Sequence, residues 1–168
     1  RLVEELDIPV MHDDQHGTAI ISAAALLNAV ELAGKKMGEV KMVISGAGSA
    51  AIACANLYVS FGVKQENIVM FNSKGALKKD DPKISEEQRK YATDKDFPSL
   101  LEAMTGVDVF VGLSTGDIVT PDMLLGMAKN PIVFAMANPN PEINYDLAIK
   151  TRRDIIMATG RSDHPNQV

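Results

Sequence analysis

Several features that would assign this sequence to a particular class of protein are missing from it. A single cysteine, Cys54, excludes an internal disulfide, and its place in an apolar helical stretch indicates a small core residue in a reducing, cytoplasmic setting. No apolar run approaches the ~20 residues that a membrane-spanning helix needs. The net charge is −5 and there is no block of Lys or Arg, so neither nucleic acid nor a membrane is an expected partner.

What the sequence does contain is enough apolar material for one domain with a sizeable core. The chain has 168 residues, of which 46% are apolar. It is organised around a glycine-rich stretch at residues 46–51, which reads Gly-Ala-Gly-Ser-Ala-Ala and follows a short apolar run. Since an Ala-rich helical segment comes next, the stretch has the strand–turn–helix context of a dinucleotide-binding fingerprint.

Each position of this stretch has a physical reason to bind a dinucleotide. Gly46 lets the chain turn sharply out of the strand, Gly48 lets the backbone approach a pyrophosphate, and Ala51 lets the helix pack closely on the strand. Ser49 and Ala50 begin the helix, whose free N–H groups and dipole favour a phosphate there. An ordinary tight turn with two glycines is the alternative.

Four further apolar runs, near residues 67–71, 107–111, 131–136 and 154–158, alternate with helical segments. This alternation predicts an α/β fold, a doubly wound Rossmann-type parallel sheet of about five strands with helices on both faces. Residues 18–33 are apolar on nearly every side and predict a buried helix, and residues 141–151 predict another helix. The charged stretch 77–96 predicts a solvated surface excursion.

The second strand lacks the acidic residue that would bind the ribose 2′-hydroxyl of NAD, about 20 residues beyond the glycines. Asn72 takes that place, followed by Ser73 and Lys74. Without a carboxylate to repel a 2′-phosphate, and with Lys74 to attract it, the sequence favours NADP over NAD. The alternative is an ordinary polar turn.

Other polar residues lie where a ligand could reach them. Ser114 and Asn138 follow the third and fourth predicted strands, and ligands of open parallel sheets bind at that edge. Asp13 and Asp14 precede the buried helix, where they could bind a hard divalent cation or cap the helix. His12 and His16 have the spacing of a helical zinc site, but no Glu lies between them, so zinc is not favoured.

Together with the glycine loop, three segments of the sequence resemble the bacterial-type malic enzymes, and the resemblance runs along essentially the whole chain. They are residues 8–19 with their His-Asp-Asp-Gln-His-Gly-Thr core, residues 136–139 (Met-Ala-Asn-Pro), and residues 158–168 with Gly-Arg-Ser-Asp-His-Pro-Asn-Gln. The resemblance implies the oxidation of L-malate with NADP or NAD, decarboxylation of the resulting oxaloacetate, and release of pyruvate. It also implies a divalent metal that polarises the ketone and stabilises the enolate.

The resemblance assigns roles to three residues. Asp14 matches a ligand of Mg²⁺ or Mn²⁺, Asp13 matches a residue beside the catalytic lysine, and Asn138 matches a residue near the nicotinamide and the substrate. The family's catalytic Tyr and Lys, its other metal ligands, and an Asn-Asn pair that meets substrate are not matched. We therefore expect residues 1–168 to be a single NAD(P)-binding domain, a fragment without the N-terminal catalytic domain and the C-terminal end, and inactive alone.

Two other hypotheses remain at this point. The chain could be the cofactor domain of another two-domain dehydrogenase, such as an amino-acid dehydrogenase, although the Asp13-Asp14 pair speaks against that. It could also be a non-catalytic nucleotide-sensing module. For the full-length protein, the sequence interpretation includes a small-molecule substrate, a homo-oligomer and a cytoplasmic location.

Overall fold

Helices and strands alternate along most of the chain. The structure, a computed structural model, describes residues 2–168. The helices are α1 (Leu2–Glu5), α2 (Asp13–Leu32), α3 (Ser49–Ser60), α4 (Glu86–Arg89), α5 (Leu100–Met104), α6 (Pro121–Gly126) and α7 (Tyr145–Thr151). The strands are β1 (Met42–Ser45), β2 (Ile68–Asn72), β3 (Gly75–Ala76), β4 (Val109–Gly112), β5 (Ile132–Ala135) and β6 (Ile156–Thr159).

The strands of the described residues form one sheet in the order β3-β2-β1-β4-β5-β6. Five of them are parallel, and only the two-residue β3 runs antiparallel, as the second arm of a hairpin with β2. This confirms the predicted doubly wound α/β fold. Since β1 lies between β2 and β4, the strand order reverses beside β1, and the crevice at that switch point is where such sheets bind ligands.

The sheet separates two hydrophobic cores. Along each strand, the side chains point alternately into one core and into the other. Met42 and Ile44 of β1 belong to the core that includes α2 and α3, whereas Val43 belongs to the core that includes α5, α6 and α7. Cys54 is fully buried in the first core, where its sulfur lies 3.5 Å from the Ser22 hydroxyl. Its predicted place in the core is confirmed, and burial raises the pKa of its thiol.

Helix α2 differs from its prediction in two ways. It begins at Asp13 instead of residue 18, so the polar segment forms its first turns. Only one face is buried, because Ile20, Ile21 and Leu27 are 55%, 52% and 42% exposed. The prediction of a helix buried on nearly every side was therefore wrong: composition could not show that part of this apolar surface lies outside the core of residues 2–168.

The charged stretch 77–96 was also only partly predicted. Its charged side chains are mostly exposed, but Leu77, Ile84 and Tyr91 are buried in the first core. These three apolar residues hold the excursion against the domain, and the short helix α4 forms within it. A surface segment was expected, but the structure shows a segment that is anchored to the core.

The predicted helix at residues 141–151 begins four residues later than expected. Asn144 caps α7 by accepting a hydrogen bond from the Leu147 N–H, and the residues before it run into the domain instead of joining the helix. Among them, Glu142 is fully buried. None of the helices within residues 2–168 is long and apolar enough to cross a membrane.

Candidate functional site

A cavity of about 630 Å³ lies at the carboxyl ends of the central strands. Five of the predicted site residues line it: Gly46, Gly48, Asn72, Ser73 and Ser114. The other residues of its wall are Ser45, Ala47, Phe71, Gly75, Gln88, Phe97, Pro98, Ser99, Leu100, Leu113, Thr115 and Ile118. The volume and the mixture of apolar walls with a few polar groups are typical of small-molecule sites.

The turn out of β1 depends on Gly46. Its φ of +122° lies in a region that residues with a side chain rarely adopt. A Cβ there would lie only 2.5 Å from the carbonyl oxygen of Leu113, in the loop that follows β4. The glycine therefore allows the loops after β1 and β4 to touch, and together they form one wall of the cavity.

The residues after this turn present helix N–H groups beside the cavity. Gly48 is the N-cap of α3, and a Cβ on it would meet no atom within 4 Å. Ser49 and Ala50 begin the helix, and Ala51 is buried against the sheet, as the fingerprint predicted. The first N–H groups of a helix have no partner within it, so the free space above Gly48 is suited to an anion such as a pyrophosphate.

The polar residues after β2 form a tight hairpin turn. Asn72 pairs with Gly75 across it, and the Asn72 side-chain oxygen accepts a hydrogen bond of 2.8 Å from the Lys74 N–H. The turn that was the alternative for this sequence is therefore present, and two of its residues, Asn72 and Ser73, also line the cavity. Lys74 is exposed in the turn and lies outside the cavity wall.

Ser114 lies at the other side of the glycine turn. Its hydroxyl lies 2.9 Å from that of Ser45 at the end of β1. Its backbone N–H donates to one carboxylate oxygen of Glu142 at 3.2 Å, while the Ala137 N–H donates to the other at 3.0 Å. Burial raises the pKa of the Glu142 carboxyl above its ordinary value of 4.5, and the two amide donors lower it by less.

Sequence reasoning missed two residues that hold these loops in place. Glu142 bridges the loops after β4 and β5, although its partner Ser114 is 28 positions away in the chain. Gln88, in α4, donates from its side-chain nitrogen to the Ala47 carbonyl oxygen at 2.8 Å. The Ser85–Gln88 spacing of a capping box was a readable signal for α4, but nothing local indicated that Gln88 reaches the glycine turn.

The acidic pair lies elsewhere, on the first turn of α2. Both side chains are exposed, and neither residue is the N-cap, because that position belongs to His12. The alternative in which Asp13 or Asp14 is the N-cap of the helix was therefore wrong. The Asp13 carboxylate lies against Gly17, one helical turn later, and a Cβ on residue 17 would overlap it. Within residues 2–168, no three His, Cys, Asp or Glu side chains are grouped closely enough to hold a metal ion.

Asn138 is exposed in the loop after β5 and lies outside the cavity wall, as do Asp13 and Asp14. The Asn138–Pro139 peptide bond is cis. The C-terminal segment of the chain contacts this loop, since the Arg161 side chain donates a hydrogen bond of 3.0 Å to the Pro139 carbonyl oxygen. The structure thus brings Gly46, Gly48, Asn72, Ser73 and Ser114 together in one cavity, and the candidates outside its wall include Asp13, Asp14, Lys74 and Asn138.

Comparison with known proteins identifies the family. The family model described as "Malic enzyme, NAD binding domain" matches residues 15–167. This chain belongs to the malic enzyme NAD-binding domain family. It is 51% identical to the NADP-dependent malic enzyme of Halomonas elongata, over 99% of the chain and 40% of that protein. It is 48% identical to an NAD-dependent malic enzyme of Rhizobium meliloti, over 100% of the chain and 22% of that protein.

Solved structures of malic enzymes share the fold. The NAD-dependent malic enzyme of Thermotoga maritima superposes with a TM-score of 0.89 at 42% identity, covering 99% of the chain and 45% of that protein. The chain therefore spans less than half the length of these malic enzymes. A 2-hydroxyacid dehydrogenase from Polaromonas at 16% identity and a TM-score of 0.63 shows only that the fold is shared more widely.

Proposed function

We propose that the protein carrying this chain oxidises L-malate and decarboxylates the product to pyruvate and CO₂, and that this chain binds its dinucleotide cofactor. The observation that carries the proposal is the match to the malic enzyme family together with the position of Gly46 and Gly48, the two glycines of the fingerprint, in the wall of a cavity of suitable size. When bound, the nicotinamide ring accepts the hydride that leaves C2 of malate. Another two-domain dehydrogenase and a nucleotide sensor are less well supported, because the whole chain matches malic enzymes.

The residues of the chain fit a dinucleotide. The open space at Gly48 and the first N–H groups of α3, including those of Ser49, Ala50 and Ala51, receive the pyrophosphate. The hairpin with Asn72 and Ser73 faces the adenosine end. Ser114, at the opposite side of the glycine turn, is placed for the nicotinamide end, with Asn138 beyond it.

We infer a preference for NADP over NAD from the end of β2. The malic enzymes that this chain resembles include both NADP-dependent and NAD-dependent ones, so sequence similarity does not decide the cofactor. Asn72 brings no negative charge to the cavity, and Lys74 adds a positive one nearby. A 2′-phosphate therefore meets no like charge there, and the exposed lysine contributes about 1 kcal/mol or less to its binding.

For the metal, the described residues supply only part of a site. We propose that Asp14 provides one carboxylate to Mg²⁺ or Mn²⁺, and that Asp13 lies beside the reacting groups; the remaining ligands must come from elsewhere in the full-length protein. Hard cations prefer oxygen ligands, and both carboxylates are exposed and accessible. We expect a homo-oligomer with a cytoplasmic location for the full-length protein.

Malate-dependent reduction of NADP by the full-length protein, with Mn²⁺ and after its removal by a chelator, tests the proposal. We expect turnover that needs the metal, and none from residues 1–168 alone. Cofactor binding without malate-dependent turnover would instead support a nucleotide-sensing module. Turnover of an amino acid but not of malate would support the other dehydrogenases.

A matched pair of variants tests the role of Asp14. Asp14 and Asp122 each occupy the second position of a helix, in α2 and α6, and both are exposed. We expect Asp14→Asn to lower metal-dependent turnover at least tenfold while cofactor affinity is kept, and Asp122→Asn to change neither. Equal effects of the two variants would mean that Asp14 acts only through the helix dipole.

A further inference from the structure

Glu142 is the one acidic residue among the buried polar side chains of the described chain, and no exposed surface remains on it. Its carboxylate lies against Gly112, where the carboxyl carbon and both oxygens occupy the space that a Cβ would need. A buried carboxylate is costly unless it is paired or hydrogen-bonded. Hydrogen bonds to this carboxylate must therefore offset the cost of burying it.

The partners of the carboxylate explain why an acid is needed. Both of its oxygens face backbone N–H donors, one from Ser114 and one from Ala137. An ionised carboxylate has only acceptors, so each of its oxygens can accept a hydrogen bond from an N–H group. A glutamine would offer one acceptor and turn its NH₂ group toward the other donor, leaving that N–H without a partner.

The main chain around Glu142 ties the same two loops together. Its own carbonyl oxygen accepts a hydrogen bond of 2.9 Å from the Val119 N–H, and the Pro141 carbonyl oxygen accepts one of 3.0 Å from the Asp117 N–H. A Cβ on Gly116 would lie 2.6 Å from the Asn140 carbonyl oxygen, so these loops are in close contact. Side chain and main chain of residue 142 together hold the loop after β4 against the loop after β5.

We propose that Glu142 is a positioning residue, which fixes Ser114 and Asn138 in the arrangement that binds the nicotinamide half of the cofactor. The inference rests on the proposed function, since it assigns that half to these loops. The glycine turn has a support of its own, because the Gln88 side chain donates to the Ala47 carbonyl oxygen. Loss of the Glu142 contacts should therefore affect one half of the dinucleotide and spare the other.

Binding of two probes to the full-length protein separates the halves. NADPH contains both, whereas adenosine 2′,5′-bisphosphate contains only the adenosine half. We expect Glu142→Gln to weaken NADPH about tenfold, as expected for one charge-assisted hydrogen bond lost, and to change bisphosphate affinity less than twofold. Glu66→Gln, at an exposed glutamate in the turn before β2, is the matched control and should change neither.

Hydrogen exchange of the cofactor-free protein gives a readout that does not depend on the ligand. Glu142→Gln should speed exchange several-fold in peptides covering residues 112–119 and 136–142, with no change in residues 46–55. Equal weakening of both probes, or unchanged NADPH affinity, would overturn the positioning role. Failure of the unmodified protein to bind NADPH would overturn the proposed function, and the exchange pattern would still show whether Glu142 holds the loops.

Discussion

Two regions at the carboxyl edge of the sheet, the glycine turn after β1 and the loops after β4 and β5, are held by different kinds of interaction. The glycine turn after β1 is shaped by the absence of side chains, at Gly46 for the contact with Leu113 and at Gly48 for open space. The loops after β4 and β5 are shaped by a charged side chain, Glu142, which comes from outside both strands and bonds to both loops.

The difference shows that one half of the site is encoded locally and the other is not. A turn made of glycines can be recognised from the residues of the turn alone, so its function is visible in a few consecutive residues. A buried carboxylate between two loops needs a partner 28 residues away and a glycine, Gly112, that leaves room for it. We therefore expect the two halves to respond differently to substitution.

The largest effect is expected from Gly46→Ala. The positive φ and the approach to the Leu113 carbonyl both oppose a side chain, which should lower stability by about 3 kcal/mol and abolish NADPH binding. Thermal denaturation and NADPH titration measure this. Gly48→Ala is the control: it should leave the melting temperature nearly unchanged but still block NADPH. Unchanged NADPH affinity in Gly48→Ala would show that the open space has no special role.

Gly112→Ala should come next, because a methyl group there overlaps the Glu142 carboxylate. We expect a loss of about 2 kcal/mol and weaker NADPH binding, with the affinity for adenosine 2′,5′-bisphosphate largely kept. Gly126→Ala offers a comparison, since its Cβ would make only an ordinary contact, at 3.6 Å from the Thr105 hydroxyl. If Gly112→Ala is no worse than Gly126→Ala, the space occupied by Glu142 is not restricted.

Gln88→Ala tests whether the glycine turn is as self-sufficient as its sequence indicates. Loss of the hydrogen bond to Ala47 should weaken adenosine 2′,5′-bisphosphate and NADPH alike, by about fivefold. Gln65→Ala removes a comparable bond, to the Lys90 carbonyl oxygen, away from the cavity and should change neither affinity. An unchanged affinity in Gln88→Ala would mean that the turn needs no outside support.

Cofactor choice should depend on the hairpin alone. Asn72→Asp keeps the oxygen that accepts from the Lys74 N–H but adds a negative charge, so we expect NADP affinity to fall several-fold and NAD affinity to be kept. Lys74→Ala should weaken NADP slightly, and Lys64→Ala, an exposed lysine before β2, should not. Equal changes for NAD and NADP in Lys74→Ala would place Lys74 away from the 2′-phosphate.

The smallest expected effect is the pH dependence of the contribution that Glu142 makes to stability. Because burial raises the pKa of Glu142, the folded state binds its proton more tightly, and this residue's contribution to stability falls as pH rises from 4.5 through the raised pKa. Among the described residues, no charged side chain contributes to this shift. The melting temperature of the native protein minus that of Glu142→Gln should decrease over that range and then level. A difference that grows with pH would mean that folding lowers the pKa of Glu142 instead of raising it.

The sheet and its order of elements followed from the alternation of apolar runs, because buried parallel strands and helices each have a distinct length and composition. Ser99 and Thr120 cap α5 and α6 by accepting hydrogen bonds from N–H groups three residues later, so these helix ends also depend on nearby residues alone. The exposed face of α2 and the anchoring of residues 77–96 by Leu77 and Tyr91 were not predictable, since both depend on what packs nearby. The roles of Glu142 and Gln88 could not be predicted from the sequence for the same reason.

Gly17 has a consequence for the direction of a charged side chain one helical turn away. A glycine inside a helix costs about 1 kcal/mol relative to alanine, yet alanine at this position would displace the Asp13 carboxylate. Alanine at 17 therefore requires the Asp13 carboxylate to turn away toward solvent, where this side chain is already exposed. The glycine at 17 thus sets which directions the carboxylate at 13 can take, and a substitution there would change where that charge lies.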